Sequence, residues 1–398
     1  MSQVTIHRIP SGQFPDSLAL SEFSFQYKIP PEEWEKKLSQ LKENEQWGAY
    51  VDGKLAAKLT ILELHTWIQG KRWKLGGIAS VATWPEYRRG GLVAGLLTNA
   101  LRVMREEGQY ISFLHPFQFA FYRKFGWETY TETKKYEIAT ALLPKLPSQP
   151  GRVVRVGEDN GLLGSIYTSF AQRYNGTLDR DEAWWTNRIF PVQQGTAAVY
   201  YNEAGEPRGY VRYQIKDRVC DIHELVYLDR ESWKGLWRFI ADHDSMMEKV
   251  KISAPGDDQL PFLLDNPRIK QETSPYFMAR LVDAAKFIEL YPFIQPPSGA
   301  VVSLELKVTD SHAAWNDGVF LIEVRADGTA KVEKREQAAG VTGRPQVECD
   351  ISTLSTLLMG YQSASFLYEI ERLRGNEEGI SLLEALIPKR TTYLPDFF

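Results

Sequence analysis

The chain has 398 residues, of which 43% are hydrophobic and 25% charged, with a formal net charge of −4. At about 100–200 residues per domain this length predicts two or three domains, and no Lys/Arg block supplies the electrostatic footprint that nucleic-acid binding needs. The two cysteines, Cys220 and Cys349, have no paired spacing, which excludes a disulfide framework or zinc knuckle and points to a reducing cytoplasm; no run of about 18 apolar residues is present to span a membrane.

In chain order, Val4–Ile9 alternates as a strand, and Pro31–Leu41 reads as a helix opened by Pro with acids in its first turn. Asp52-Gly53 predicts a hairpin between Trp47–Val51 and Lys54–Leu62, and Leu75–Thr83 a further apolar strand. Val93, Leu96, Leu97, Ala100, Leu101 and Met104 then repeat at helical spacing, Gly108 closes that helix, and Tyr110–Leu114 follows as a strand. This order predicts an α/β layer on a largely antiparallel sheet.

Two Pro/Gly-rich segments, 143–151 and 291–299, are candidate linkers. They divide the chain into 1–145, 150–290 and 298–398. The middle block has the same rhythm: Val199–Tyr201 and Gly209–Gln214 flank Gly205-Glu206-Pro207, and Trp233–His243 reads as a helix. It reads as a repeat that has lost its chemistry. The third block opens on the alternating strand Val302–Thr309, joins two further strands at Asp327-Gly328, and ends with amphipathic helices at Ser352–Leu358 and Ile380–Leu386, a small α+β module.

Ser80–Leu92 carries the chemistry. A strand runs into a glycine-bearing turn and a helix start, which offers several N–H donors and the positive end of the helix dipole to a pyrophosphate, with Arg88 and Arg89 adding charge. Neither Gly-x-Gly-x-x-Gly nor the Gly-Lys-Ser/Thr of a P-loop is present.

Val81-Ala82-Thr83-Trp84-Pro85-Glu86-Tyr87-Arg88-Arg89-Gly90-Gly91-Leu92, followed by Phe121-Tyr122-Arg123-Lys124-Phe125-Gly126-Trp127, resembles the acetyl-CoA-binding core of the GNAT N-acetyltransferases. The whole chain is similar to the Eis branch of that family, which joins a GNAT domain, a degenerate second GNAT domain and a sterol-carrier-like C-terminal domain. The family turn reads Gln/Arg-x-x-Gly-x-Gly/Ala; Arg88 and Gly91 fit it, while Val93 replaces the last small residue.

The resemblance implies that the backbone of Val81, Ala82 and Thr83 pairs with the pantetheine arm of acetyl-CoA. It further implies that Arg88, Arg89, Gly90, Gly91, Leu92, Val93 and Ala94 wrap the pyrophosphate, and that the co-substrate needs no metal. Tyr122 matches the tyrosine that protonates the departing thiolate, a role a phenol of pKa about 10 can fill. The family's general base is its C-terminal carboxylate, here that of Phe398. A reference α-carboxyl of about 3.5 is a weak base, and desolvation among Phe397 and Phe398 raises it.

The implied function is acetyl-CoA-dependent N-acetylation of a primary amine on a small polycationic or peptide acceptor, by direct transfer, in a cytoplasmic hexamer. Glu22, Glu32, Glu33 and Asp396 are candidate acids at the substrate mouth; Gln26 stands where aminoglycoside-modifying relatives place an acid, which turns the reading away from aminoglycosides. His115 lies at the end of a predicted strand near the site, as a lining residue or a hydrogen-bonded core histidine, and Asp242-His243-Asp244 has no companion ligands for a metal. The alternatives are an apolar-ligand-binding protein with a vestigial transferase domain, and a transferase of longer acyl chains.

Overall fold

A computed structural model describes residues 3–296, 299–335 and 344–398; Pro297 and Ser298 of the second linker lie outside the described residues. Its strands are β1 (Val4–Arg8), β2 (Gln46–Val51), β3 (Lys54–Ile68), β4 (Lys71–Thr83), β5 (Ile111–Leu114), β6 (Glu128–Thr129), β7 (Glu132–Ala139), β8 (Arg152–Val156), β9 (Thr196–Tyr201), β10 (Pro207–Lys216), β11 (Val219–Tyr227), β12 (Lys249–Ala254), β13 (Lys270–Pro275), β14 (Met278–Leu281), β15 (Val302–Thr309), β16 (Gly318–Val324), β17 (Ala330–Arg335), β18 (Gln346–Asp350) and β19 (Arg374–Gly375). They form three mixed sheets, ordered β1-β2-β3-β4-β5-β14-β6, β13-β7-β12-β11-β10-β9-β8 and β17-β16-β15-β18-β19. The fold is thus mixed α/β, with two sheets of one kind and a smaller α+β unit.

The first two sheets exchange strands. β7 comes from the first block and lies between β13 and β12, while β14 comes from the middle block and lies between β5 and β6. The chain therefore crosses from the first sheet to the second at Tyr130–Thr131, and the Pro/Gly-rich segment 143–151 joins β7 to β8 within one sheet. Proline and glycine mark a turn in the chain, and a turn inside a sheet carries the same composition as a linker.

Helix α1 (Phe14–Phe25) has no counterpart among the sequence-predicted elements. Its buried residues are Phe14, Ser17, Leu18, Leu20 and Ser21, so two serines break the apolar stripe that would reveal it. The segment expected as one helix from Pro31 opens as a short turn, Pro31–Glu33, before α2 (Trp34–Gln40). β3 and β4 run well beyond their predicted ends because Gln69 and Gly70, both at positive φ, join them in a tight turn like that at Asp52-Gly53.

Helix α3 (Leu92–Glu106) buries Leu92, Leu96, Leu97, Ala100, Leu101, Val103 and Met104. Burial is worth about 2 kcal/mol for each such leucine, which holds α3 against the sheet.

Candidate active site

β4 is paired along its whole length with β3, but on its other edge with β5 only from Leu75↔Ile111 to Ile78↔Leu114. Beyond Ile78 the two parallel strands part, and Ala79–Thr83 presents an edge that no strand among the described residues covers. At this fork the register slips, with Lys58 opposite Ala82 and Thr60 opposite Ala79, so Ser80 and Val81 together face Leu59. Ser80 sits at φ 50, the left-handed geometry of a bulge that bends the strand and re-aims its groups.

The open edge leads through Pro85–Tyr87 into α3. Arg89 and the N-cap Gly91 are both left-handed, at φ 66 and 76, and no side chain caps the helix. A Cβ added at Gly91 would meet nothing within 4 Å, so the chain is open to its surroundings where α3 starts. Gly90, Arg88 and Arg89 are exposed beside it, and Arg88 Nε donates to the Thr83 carbonyl at 3.4 Å. A turn of this shape, an uncapped helix start and two guanidiniums suit a bound pyrophosphate.

Tyr122 lies on α4 (Phe119–Arg123), just beyond β5, and is only 3% exposed. It belongs to the core on the α3 side of the sheet, with Leu114, Phe125 and Trp127, and its ring meets Phe117 and Phe121 edge-on. Its hydroxyl makes no hydrogen bond among the described residues, and burial pushes the phenol well above its ordinary value. It therefore stays protonated.

Phe398 belongs to the core on the opposite side, with Phe113 and Phe277. Its ring is 8% exposed and packs 4.9 Å from that of Phe277 and 6.2 Å from that of Trp184, while Phe397 remains 62% exposed. A Cβ at Gly77 would lie 2.9 Å from its Cε2, so the ring rests directly on β4, one residue before the fork. Tyr122 and Phe398 thus reach the end of the β4–β5 pairing from opposite faces of the sheet.

His115 also stands at this end, its ring 5.0 Å from Phe397 and 5.4 Å from both Tyr276 and Phe277. It is exposed, not a core histidine, and partial desolvation lowers its pKa. Among the candidate acids, Asp396 is 2% exposed and bound to Arg180 and Trp184, so it does not stand at a mouth: burial of the tail that carries it draws it inside. Glu32 and Glu33 are exposed at the turn before α2. Glu22 receives the Ile29 N–H at 2.7 Å, which with Lys28 holds its carboxyl below the usual range. It lines a cleft of about 480 Å³ with Phe23, Gln26, Tyr27 and Trp84.

Sequence reasoning missed Lys58. It is 2% exposed on β3, and its Nζ donates to Ser17 Oγ of α1 at 2.9 Å; burial without a counter-ion pushes its pKa down to about 7. No signal marked it, since a lone lysine in a strand normally faces solvent.

The middle domain repeats the fork but caps the helix that follows it. β11 and β12 pair in parallel only from Val219↔Lys249 to Ile222↔Ile252, and the helix Arg230–Ala241 follows β11 as α3 follows β4. There, however, the Asp229 carboxylate caps the helix, accepting from Ser232 N at 2.8 Å and pairing with Arg208. The protein's own anion occupies the seat that α3 leaves free.

Comparison with known proteins agrees with this architecture. Residues 5–130 and 176–281 each match an acetyltransferase (GNAT) domain, and residues 284–395 match a sterol carrier protein domain. The chain therefore carries two GNAT acetyltransferase domains and a C-terminal sterol carrier domain. It is an Eis-like N-acetyltransferase of the GNAT family.

An uncharacterized N-acetyltransferase of Streptomyces avermitilis is 27% identical over 383 residues, 88% of each chain. The N-acetyltransferase Eis of Mycobacterium tuberculosis is 24% identical over 312 residues, 75% of this chain and 74% of that one. A crystal structure of a conserved protein of unknown function from Enterococcus faecalis V583 superposes over the full length of both chains with a TM-score of 0.91 and 27% identity. Eis1 from Mycobacterium abscessus, 19% identical with a TM-score of 0.81 over both full chains, shares the fold.

Among the described residues no helix is long and apolar enough to cross a membrane, and no group of three His, Cys, Asp or Glu is placed to hold a metal ion. Cys220 and Cys349 are buried and unpaired.

Proposed function

We propose that the chain transfers an acetyl group directly from acetyl-CoA to a primary amine of a small polycationic or peptide acceptor. The observation that carries this reading is the uncovered edge of β4 running from the fork at Ser80 into the uncapped start of α3. In this reading the backbone of Val81, Ala82 and Thr83 holds the pantetheine arm as an added strand, and Arg88 to Ala94 cradle the pyrophosphate.

The thioester then lies at the fork, between the faces occupied by Tyr122 and Phe398. The ammonium of the acceptor gives a proton to the Phe398 carboxylate, directly or through water, and its nitrogen attacks the thioester carbon. The N–C bond forms, the carbonyl oxygen takes the negative charge against a backbone N–H near Val81, and the C–S bond breaks as that charge returns. Tyr122 gives its proton to the sulfur, and the second proton that the acetylated nitrogen sheds returns to the phenolate, directly or through water, leaving a neutral amide, the thiol of CoA and a neutral phenol. Burial penalises phenolate and thiolate alike, so the two proton transfers at Tyr122 are coupled in this reading.

Glu22 among Phe23, Tyr27 and Trp84 suits an ammonium, which a carboxylate and ring faces both attract. The same reading takes the first domain as catalytic, the second as degenerate, the third as the carrier of the carboxylate, and the working enzyme as a cytoplasmic homo-oligomer.

The test is a thiol-release screen with acetyl-CoA and longer acyl-CoAs against polyamines, aminoglycosides and peptide amines. Release that requires acetyl-CoA and an amine is expected. A preference for longer acyl donors, or no release with any amine, overturns the reading.

A further inference from the structure

The tail of the chain is gripped two residues before its last ring. Asp396 Oδ1 accepts from Arg180 Nε at 2.9 Å and from Trp184 Nε1 at 2.8 Å, Oδ2 accepts from the Tyr167 hydroxyl at 3.3 Å, and the Asp396 carbonyl accepts from the Tyr276 hydroxyl at 3.0 Å. Arg180 in turn forks onto Glu224 at 2.7 and 3.2 Å and lies 3.7 Å over the ring of Tyr167. The side chains of Arg180 and Asp396 have no exposed area.

Burying a guanidinium between two carboxylates is a poor way to gain stability, because desolvation consumes most of the attraction; what such a group does well is fix one arrangement. Here the fixed object is the tail. Two residues reach at most about 7 Å, so a pinned Asp396 confines Phe398 to the patch of β4 at Gly77. Arg180, Glu224, Trp184 and Tyr276 all lie in the stretch that matches the second acetyltransferase domain.

We propose that the second acetyltransferase domain serves as a latch, in which Arg180, backed by Glu224, captures Asp396 and so sets Phe398 against β4. Arg180 and Asp396 are positioning residues. The consequence for catalysis rests on the reading of Phe398 as the base; the latch itself does not.

The test uses the full-length protein and carboxypeptidase A, which removes C-terminal aromatic residues, followed by intact mass spectrometry. Asp396→Asn and Arg180→Met are compared with the unaltered chain and with Asp310→Asn, which weakens a second buried pair, Arg280–Asp310, that does not touch the tail. Loss of Phe398 and Phe397 at least tenfold faster in D396N, with circular dichroism unchanged and D310N trimmed at the unaltered rate, is the expected result. If R180M does not fold, Tyr276→Phe, which removes the grip on the Asp396 carbonyl, takes its place and should trim faster as well.

A tail in D396N as resistant as in the unaltered chain, or one released equally by D310N, overturns the latch. Turnover measured on the same samples separates the two readings. A freed tail with undiminished transfer keeps the latch and removes Phe398 from the chemistry, whereas a freed tail with a fall in kcat and little change in KM for acetyl-CoA supports both.

Discussion

The ring of Phe398 rests on Gly77: an ideal Cβ at that glycine would lie 2.9 Å from Cε2 of the ring and 3.0 Å from Leu64 Cδ1. The absence of a side chain at Gly77, on the central strand of the first sheet, leaves the room in which the last residue of the chain lies. Gly77→Ala should displace the ring by a fraction of an ångström or more. Overpacking of this kind costs about 1–3 kcal/mol, and misplacement of a reacting group by about 1 Å can cost 100-fold in rate. The expected outcome is a kcat at least tenfold lower with acetyl-CoA affinity retained, read from steady-state thiol release and calorimetric titration.

Tyr122→Phe removes one oxygen from a well-packed ring. Loss of a positioned proton donor typically lowers the rate by about 100- to 10,000-fold, while the packing with Phe117 and Phe121 remains. Turnover should fall far more than acetyl-CoA affinity. An equal loss of both would assign the residue to packing.

Gly91 allows a test of the phosphate seat, because the second domain shows what fills one. Gly91→Asp places a carboxylate at the start of α3, as Asp229 does for the helix Arg230–Ala241, and Gly91→Asn is its neutral counterpart at the same positive φ. Both carry the backbone strain; only the first repels phosphate. KM for acetyl-CoA should rise at least tenfold more in G91D than in G91N, and the gap should shrink with added salt.

Lys58 makes a prediction about stability rather than rate. Its folded pKa is pushed down to about 7 from 10.5 by burial. Below the folded value both states carry the proton and the penalty of burying the charge is full. Between about 7 and 10.5 the unfolded chain binds the proton that the folded chain has released, so stability rises with pH across that window. Lys58→Met should raise stability at pH 7 and remove this rise, by on the order of 4 kcal/mol at 1.36 kcal/mol per unit. Urea denaturation at pH 7 and pH 10 measures it; a pH dependence identical to that of the unaltered chain would contradict the account.

Much of this could be read in the sequence, and what could not has identifiable physical causes. The stripe Val93 to Met104 revealed α3 because its buried positions are apolar at helical spacing, and Arg88-Arg89-Gly90-Gly91 revealed its open start. α1 stayed hidden behind Ser17 and Ser21. The exchange of β7 and β14 between sheets was invisible, since pairing partners far apart in sequence leave no local trace. Asp396 read as an exposed acid because nothing in the residues near it shows Arg180, more than two hundred positions earlier, to be its partner. Lys58 and Gly77 acquire meaning only through neighbours on α1 and at the chain's end.

In the proposed reaction the carboxylate of Phe398 takes the acceptor's proton at the fork of β4 and β5. The most direct test of that role is a chain lengthened by two glycines after Phe398, which keeps both rings and moves the carboxylate away. Acetyl-CoA binding measured by calorimetry should be unchanged and kcat lowered at least 100-fold, in the range expected for loss of a general base. Acetyl transfer at the rate of the unaltered chain would contradict that role.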